Sequence, residues 1–322
     1  MNIINLLKDK IIYGELIGKD EALLLLDVDI DELSKAANEI RAHFCGNNFD
    51  ICTIINGKSG KCTEDCKYCA QSSFYDTSVE SYELLSKEEL LKQALYNDKK
   101  GVLRYSIVAS GRALNQYEIE RVCESVQEIG KKSNIKVCAS PGLLSESEFS
   151  VLKASGVTRI HNNLETSKNN FPNICTTHSF EDKITAIKAA QSAGLDICSG
   201  GIMGLGESYE DRIDMALSIR DLNVNSIPVN MLNPIPNTPY ENMPLLSTHE
   251  MRRIIAIYRF LNPKASIRLA GGRGLLEDKG RSCFLGGANG AISGDMLTTD
   301  GITIDDDMKM IDELGYIVSL HE

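Results

Sequence analysis

The sequence predicts an α/β fold, a (β/α)8 TIM-type barrel with an N-terminal helical extension. Three observations lead there. From about residue 50 onward, short β-branched runs alternate with segments of helical periodicity. The βα units follow one another without a second composition class, as in one barrel rather than two domains. The strand candidates also alternate polar with apolar residues, whereas a parallel strand buried on both faces is almost continuously apolar.

Taken in order, residues 1–46 are helical in pattern and form the extension, and residues 47–322 form the barrel with a C-terminal segment. The strand candidates are Ile51–Ile55, Leu103–Val108, Ile135–Ala139, Val157–Asn163, Leu195–Ser199, Ser226–Met231, Ser266–Leu269 and Gly290–Ser293. Amphipathic helices lie between them. One carries Ile119, Val122, Val126 and Ile129; another carries Met251, Ile254, Ile255 and Tyr258. Both follow the three-to-four spacing of a buried stripe.

Strand parity assigns the faces. Leu103, Tyr105 and Ile107 alternate with Arg104 and Ser106; Ile135 and Val137 alternate with Lys136 and Cys138. The polar set continues with Arg159, His161, Asn163 and Glu165, then Asp196 and Cys198, then Asn230, then Ser266 and Arg268. Apolar side chains should face the helices, so the polar set faces the lumen. Barrel interiors are normally filled by Val, Ile and Leu. A lumen lined by Cys, Arg, Asn, Glu and His reads as a ligand chamber. Cys138 and Cys198 each also fit a small buried hydrophobe, but together they suggest a metal or sulfur site. Cys45, Cys52 and Cys123 sit in apolar surroundings and read as core.

The 322 residues carry a net charge of −11 and no run of eighteen apolar residues, which argues against nucleic-acid and membrane partners. Met1 to Lys10 lacks the pattern of a secretory signal. Ten cysteines without such a signal point to the reducing cytoplasm, where metal or sulfur chemistry outranks disulfides.

The run Cys62-Thr-Glu-Asp-Cys66-Lys-Tyr-Cys69 carries the sharpest chemical signal. A [4Fe-4S] cluster takes one thiolate per iron, so three cysteines leave one iron open to a small molecule. A structural zinc loop, or simply free cysteines, is the other reading of the triplet. The spacing, with Tyr68 before the last cysteine, resembles the radical S-adenosylmethionine (SAM) superfamily. In that superfamily the open iron chelates SAM, and the reduced cluster cleaves it to methionine and a 5′-deoxyadenosyl radical.

Further stretches narrow the resemblance. Lys61 to Ser73 (KCTEDCKYCAQSS), Cys198 to Glu207 (CSGGIMGLGE), Ile267 to Arg273 (IRLAGGR), Cys283 to Asn289 (CFLGGAN) and Leu297 to Thr299 (LTT) resemble the biotin synthase family. The resemblance implies sulfur insertion into dethiobiotin from an auxiliary iron–sulfur cluster, in a homodimer. A small electron-donor protein is compatible with the acidic surface. By the resemblance, Cys62, Cys66 and Cys69 hold the [4Fe-4S] cluster. SAM contacts fall on Tyr68, Asn163, Glu165, Lys183 and Ile202, and dethiobiotin contacts on Asn163, Asn230, Thr298 and Thr299. Asn230 and the threonines also suit strand-end hydrogen bonding.

The auxiliary [2Fe-2S] cluster of the family has three cysteine ligands and one arginine. Cys138, Cys198 and Arg268 match, but the third cysteine position is Ser106. Cys175, just past the fourth strand, is the replacement expected from sequence, with a four-iron cluster as the outcome; it also reads as an incidental loop residue. His161 stands where the family has Asn and is assigned either to lumen hydrogen bonding or to substrate or cluster contact. Two rivals remain: a paralogous radical SAM enzyme of hydrogenase maturation or carbon-skeleton rearrangement, and a non-catalytic iron–sulfur carrier or sensor.

Overall fold

A computed structural model describes residues 2–321. The barrel strands are β1 (Asn48–Lys58), β2 (Arg104–Ala109), β3 (Lys136–Ser140), β4 (Arg159–His161), β5 (Asp196–Cys198), β7 (Ser226–Met231), β8 (Ser266–Leu269) and β9 (Gly290–Ser293). Each pairs in parallel with the next, and β9 pairs with β1, so the sheet closes. Two short strands escape the sequence reading. β6 (Gly201–Met203) continues the line of β5 against β7, and β10 (Ile317–Val318) pairs with the start of β1.

The crossover helices start where their sequences say they should. The helices α4 (Lys87–Lys99), α5 (Gln116–Lys132), α6 (Glu146–Ser155), α8 (Phe180–Ser192) and α9 (Tyr209–Asp221) each follow a Ser or Asn cap. In each, an acidic residue three positions later closes a capping box. Such reciprocal caps satisfy amide groups that a helix start leaves unpaired. A short α7 (Phe171–Ile174) follows β4, and α10 (Thr248–Leu261) precedes β8. The chain ends with α11 (Arg281–Phe284) and α12 (Ile304–Glu313) around β9.

The extension forms α1 (Ile3–Ile12), α2 (Lys19–Leu23) and α3 (Ile30–Cys45). Leu33, Ala36, Ala37 and Ile40 of α3 share one continuous hydrophobic core with the barrel. The outward strand parity lies in that core, with Tyr105 and Ile107 buried and the Tyr105 hydroxyl donating to Leu90 O of α4 at 3.2 Å. Arg104 and Ser106, of opposite parity, line the lumen.

Candidate active site

A cavity of about 380 Å³ fills the lumen and opens where the βα loops gather. The loop after β1 carries Cys62, Cys66 and Cys69 to its mouth, all three partly exposed and lining it. Local bonds set the loop. Cys62 N donates to Gln71 O at 3.0 Å, Ser73 N to Cys62 O at 2.8 Å, and Cys69 N to Cys66 O at 3.0 Å. The acidic pair between the first two cysteines straps the loop to residues 174–178. Asp65 accepts from the amides of Thr176 and Thr177 at 2.8 and 3.2 Å, and from the Thr176 hydroxyl. Glu64 takes Thr177 Oγ1 at 2.8 Å and His178 Nδ1 at 2.5 Å. Lys67 N reaches Ile174 O at 2.9 Å.

This strap decides the position of Cys175. Its Sγ lies 3.7 Å from Cys66 Sγ, 3.2 Å from His178 Nδ1 and 3.2 Å from Asp65 Oδ1. The expected recruitment of Cys175 beside Cys138 and Cys198 is therefore corrected. Its segment is tied to the first cysteine loop, and its side chain lies behind Cys66, outside the cavity lining. Cys66, Cys175 and His178 bring their ligand atoms within 4.8 Å of one another, close enough for a single ion. That arrangement would compete with a cluster for the Cys66 thiolate.

Below the mouth, the residues expected to meet SAM and substrate share the same walls. Tyr68, Asn163, Glu165, Lys183, Ile202, Asn230, Thr298 and Thr299 all line the cavity. Glu165 has a left-handed backbone, φ 70°. Such strain in a non-glycine residue persists only where its surroundings enforce it. Here Glu165 N donates to Gly200 O at 3.1 Å and Ile202 N to Glu165 O at 2.9 Å. Gly201 makes that approach possible, because a Cβ there would lie 2.4 Å from Glu165 O. Asn163 Nδ2 then donates to the Glu165 carboxylate at 3.3 Å, and Asn163 Oδ1 accepts from Gly200 N at 3.1 Å.

Asn230 is held at both ends, with Oδ1 accepting from Gly271 N at 2.9 Å and Nδ2 donating to Gly201 O at 3.1 Å. The strand-end role weighed for it is thus present, while the side chain still faces the cavity.

The floor is built from buried thiols and guanidinium groups. Cys138, Cys198 and Arg268 face the lumen together, as their parity predicts. Cys198 Sγ accepts from Ser226 Oγ at 3.2 Å. Burial raises the Cys198 thiol, but the His161 imidazole, Arg268 and Arg159 outweigh it and bring it down to about 6. Burial raises Cys138. Beneath them the buried Asp50 carboxylate meets Arg104 Nε at 3.3 Å, Arg268 Nη2 at 3.2 Å and Arg159 Nη1 at 3.8 Å. Burial disfavours its charge, and the guanidinium groups of Arg268, Arg104 and Arg159 overcome that to hold it below the ordinary carboxylate range.

The assignment of Cys52 to the core also needs correction. Its side chain faces the lumen, with Arg268 Nη1 donating to its sulfur at 3.2 Å. Sequence parity missed it because β1 presents Cys52 and Ile54 inward and Ile51 and Ile55 outward, so the two faces look alike. Asp50, two residues before Cys52, was the signal that this parity points inward. Cys45, Cys123 and Cys283 are buried away from the cavity.

The donor sets fit two iron–sulfur groups. Three partly exposed thiols at an open mouth leave room for a small ligand on one iron. Two inward thiols and a guanidinium, among buried polar atoms that include an unpartnered Ser106 Oγ, suit a second group on the floor.

Residues 58–219 match the Radical SAM superfamily, and residues 228–317 match the Biotin and Thiamin Synthesis associated domain. A solved methylornithine synthase superposes with a TM-score of 0.84 at 20% identity, over 98% of both chains. The [FeFe]-hydrogenase maturase HydG gives 0.83 at 18%, over 98% of this chain and 75% of that one. At such identities these likenesses speak for the barrel fold alone. Sequence relatives go further. The chain is 58% identical to a biotin synthase of Brachyspira hyodysenteriae, over 98% of this chain and 95% of that one. It is 55% identical to one of Clostridium botulinum and 53% to one of Akkermansia muciniphila, each over 99% of this chain and 100% of the other. With that identity over nearly whole chains, on a barrel with thiols at both its mouth and its floor, the chain belongs to the biotin synthase family of the radical SAM superfamily.

Proposed function

We propose that the chain converts dethiobiotin to biotin by SAM-dependent radical sulfur insertion. One observation carries the reading: a three-cysteine loop at the mouth and a thiol-bearing floor share one cavity in the barrel lumen. When bound, the [4Fe-4S] cluster would supply the electron that cleaves SAM, and the auxiliary cluster the sulfur.

The chain's own residues bind, orient and exclude water. Cys62, Cys66 and Cys69 would hold the first cluster. The strained Glu165, steadied by Asn163, presents acceptor oxygens suited to ribose hydroxyls. Lys183 offers the SAM carboxylate a point charge rather than a bidentate fork. Asn163 and Asn230 match the carbonyl and N–H groups of a ureido ring. Ile54, Val108, Ile202 and Ile292 add apolar surface to the cavity lining, which keeps water from a reactive carbon centre. Cys138, Cys198 and Arg268 would anchor the auxiliary cluster beneath.

Among the described residues no helix is long and apolar enough to cross a membrane. A cytoplasmic homodimer served by a small electron-donor protein completes the proposal; sedimentation in solution tests the dimer.

The test is anaerobic incubation of reconstituted protein with SAM, dethiobiotin and a reductant. Biotin and 5′-deoxyadenosine should both form. Cys66→Ala should make neither while its thermal unfolding stays cooperative. Wild-type protein that cleaves SAM and leaves dethiobiotin untouched would overturn the reading in favour of another radical SAM reaction.

A further inference from the structure

Cys52 is a buried lumen thiol that the family resemblance does not use. A buried cysteine is often only a small hydrophobe, and Ala270 and Ile292 do pack beside this one. Its sulfur nonetheless lies 3.2 Å from a guanidinium nitrogen of Arg268, the residue assigned to the auxiliary cluster.

The sheet register explains that meeting. Cys52 pairs with Arg104, which pairs with Lys136, two residues before Cys138. Cys138 pairs with Arg159, which pairs with Asp196, two residues before Cys198. Cys198 pairs with Ser226, which pairs with Ser266, two residues before Arg268. Arg268 pairs with Gly290, which pairs with Asp50, two residues before Cys52. The path returns to its starting residue. Side chains of a closed barrel stack in layers of four drawn from alternate strands. Cys52, Cys138, Cys198 and Arg268 are one such layer.

Ser106 is not in it. It stands on an intervening strand and pairs with Ile54 rather than with Cys52. Its neutral hydroxyl is a poor iron ligand beside a thiolate. Gly290 opens the path between Arg268 and Cys52 across β9, since a Cβ there would meet Arg268 Cβ at 3.1 Å. Beneath the thiols the Asp50 carboxylate meets the guanidinium groups of Arg104, Arg159 and Arg268, and Arg159 also reaches Asp196 at 3.9 Å.

We propose that Cys52 supplies the third thiolate of the auxiliary iron–sulfur cluster, giving the ligand set Cys52, Cys138, Cys198 and Arg268. This rests on the auxiliary-cluster reading above. The serine at position 106 is then matched by a thiolate arriving from β1, one layer away.

The experiment isolates the floor from the mouth. A full-length chain with Cys62→Ala, Cys66→Ala and Cys69→Ala is reconstituted anaerobically with iron and sulfide, then desalted. It should retain protein-bound iron, with sulfide-to-iron absorption and a Mössbauer signal. Adding Cys52→Ala should remove that iron, whereas adding Cys123→Ala, a buried cysteine outside the cavity, should not. Adding Cys52→Ser, which keeps the side-chain shape but replaces the sulfur by a hydroxyl, should shift the Mössbauer parameters or lose the iron. Iron and spectrum unchanged in both Cys52 variants overturns the proposal. No bound iron in the parent triple variant overturns the auxiliary-cluster reading itself, and the proposal with it. Circular dichroism on each variant separates ligand loss from misfolding; if Cys52→Ala does not fold, the Cys52→Ser spectrum decides.

Discussion

Asn230 sits on β7 with its amide spent twice, on Gly271 N at 2.9 Å and on Gly201 O at 3.1 Å. Those bonds join the end of β7 to the turn after β8 and to β6. Each buried group left without its partner costs about 1–3 kcal/mol. Asn230→Ala should therefore lower the unfolding midpoint as well as weaken dethiobiotin binding by about tenfold or more. Asn230→Asp keeps the acceptor for Gly271 N but sets a carboxylate oxygen against Gly201 O, so it should not restore the stability. Calorimetry for ligand and thermal melts for the fold separate the two losses. A variant that is less stable yet binds dethiobiotin as wild type would assign Asn230 to scaffolding alone.

At the scale of elements, the cysteine loop depends on a strap that its sequence half reveals. Glu64 and Asp65 fill the positions just before Cys66, where motif reading sees only spacers. The structure gives them the work of binding residues 176–178. Asp65→Ala would leave the amides of Thr176 and Thr177 without their acceptor and loosen the loop. It should lower first-cluster iron after desalting while the barrel melts almost as before; iron retention equal to wild type would show the loop to be self-supporting. Other elements differ in how much their sequence tells. β2 and β3 alternate polar with apolar residues, so their lumen faces are legible at Ser106 and Cys138. β1 hides its inward face behind Cys52 and Ile54, which are as apolar as their outward neighbours. Three-residue β6 and two-residue β10 are too short to show any period. Cys175 reads as a lumen ligand because sequence gives its loop but not the direction of that loop; a hydrogen bond to a residue 110 positions away in sequence is invisible to local pattern, and Asp65 is such a partner.

The whole molecule shows why the first 46 residues are poorly described as an appendage. The helix α10 turns Ile254 and Ile257 into the same core that Leu33, Ala36 and Ile40 of α3 enter. Arg253 on α10 donates to Leu25 O and Val28 O, each at 3.0 Å, and so closes the end of α2 over the barrel. The fully buried Arg259 has Cys45 Sγ at 3.4 Å, with the carbonyls of Ala265 and Gly287 at 2.7 and 2.8 Å. Cutting the chain before residue 47 would strip apolar cover from α10 and admit water beside that charge. Burial of a single Leu or Ile side chain is worth about 1.5–3 kcal/mol, so losing several exceeds the few kcal/mol margin of an ordinary domain. The chain from residue 47 onward should therefore aggregate, or bind a hydrophobic dye and melt without cooperativity. Arg253→Ala in the full chain removes two hydrogen bonds, each worth about 0.5–1.5 kcal/mol, and should only lower the melting midpoint. A truncated chain that stays soluble and unfolds in one sharp transition would make the extension separable, and the barrel a domain in its own right.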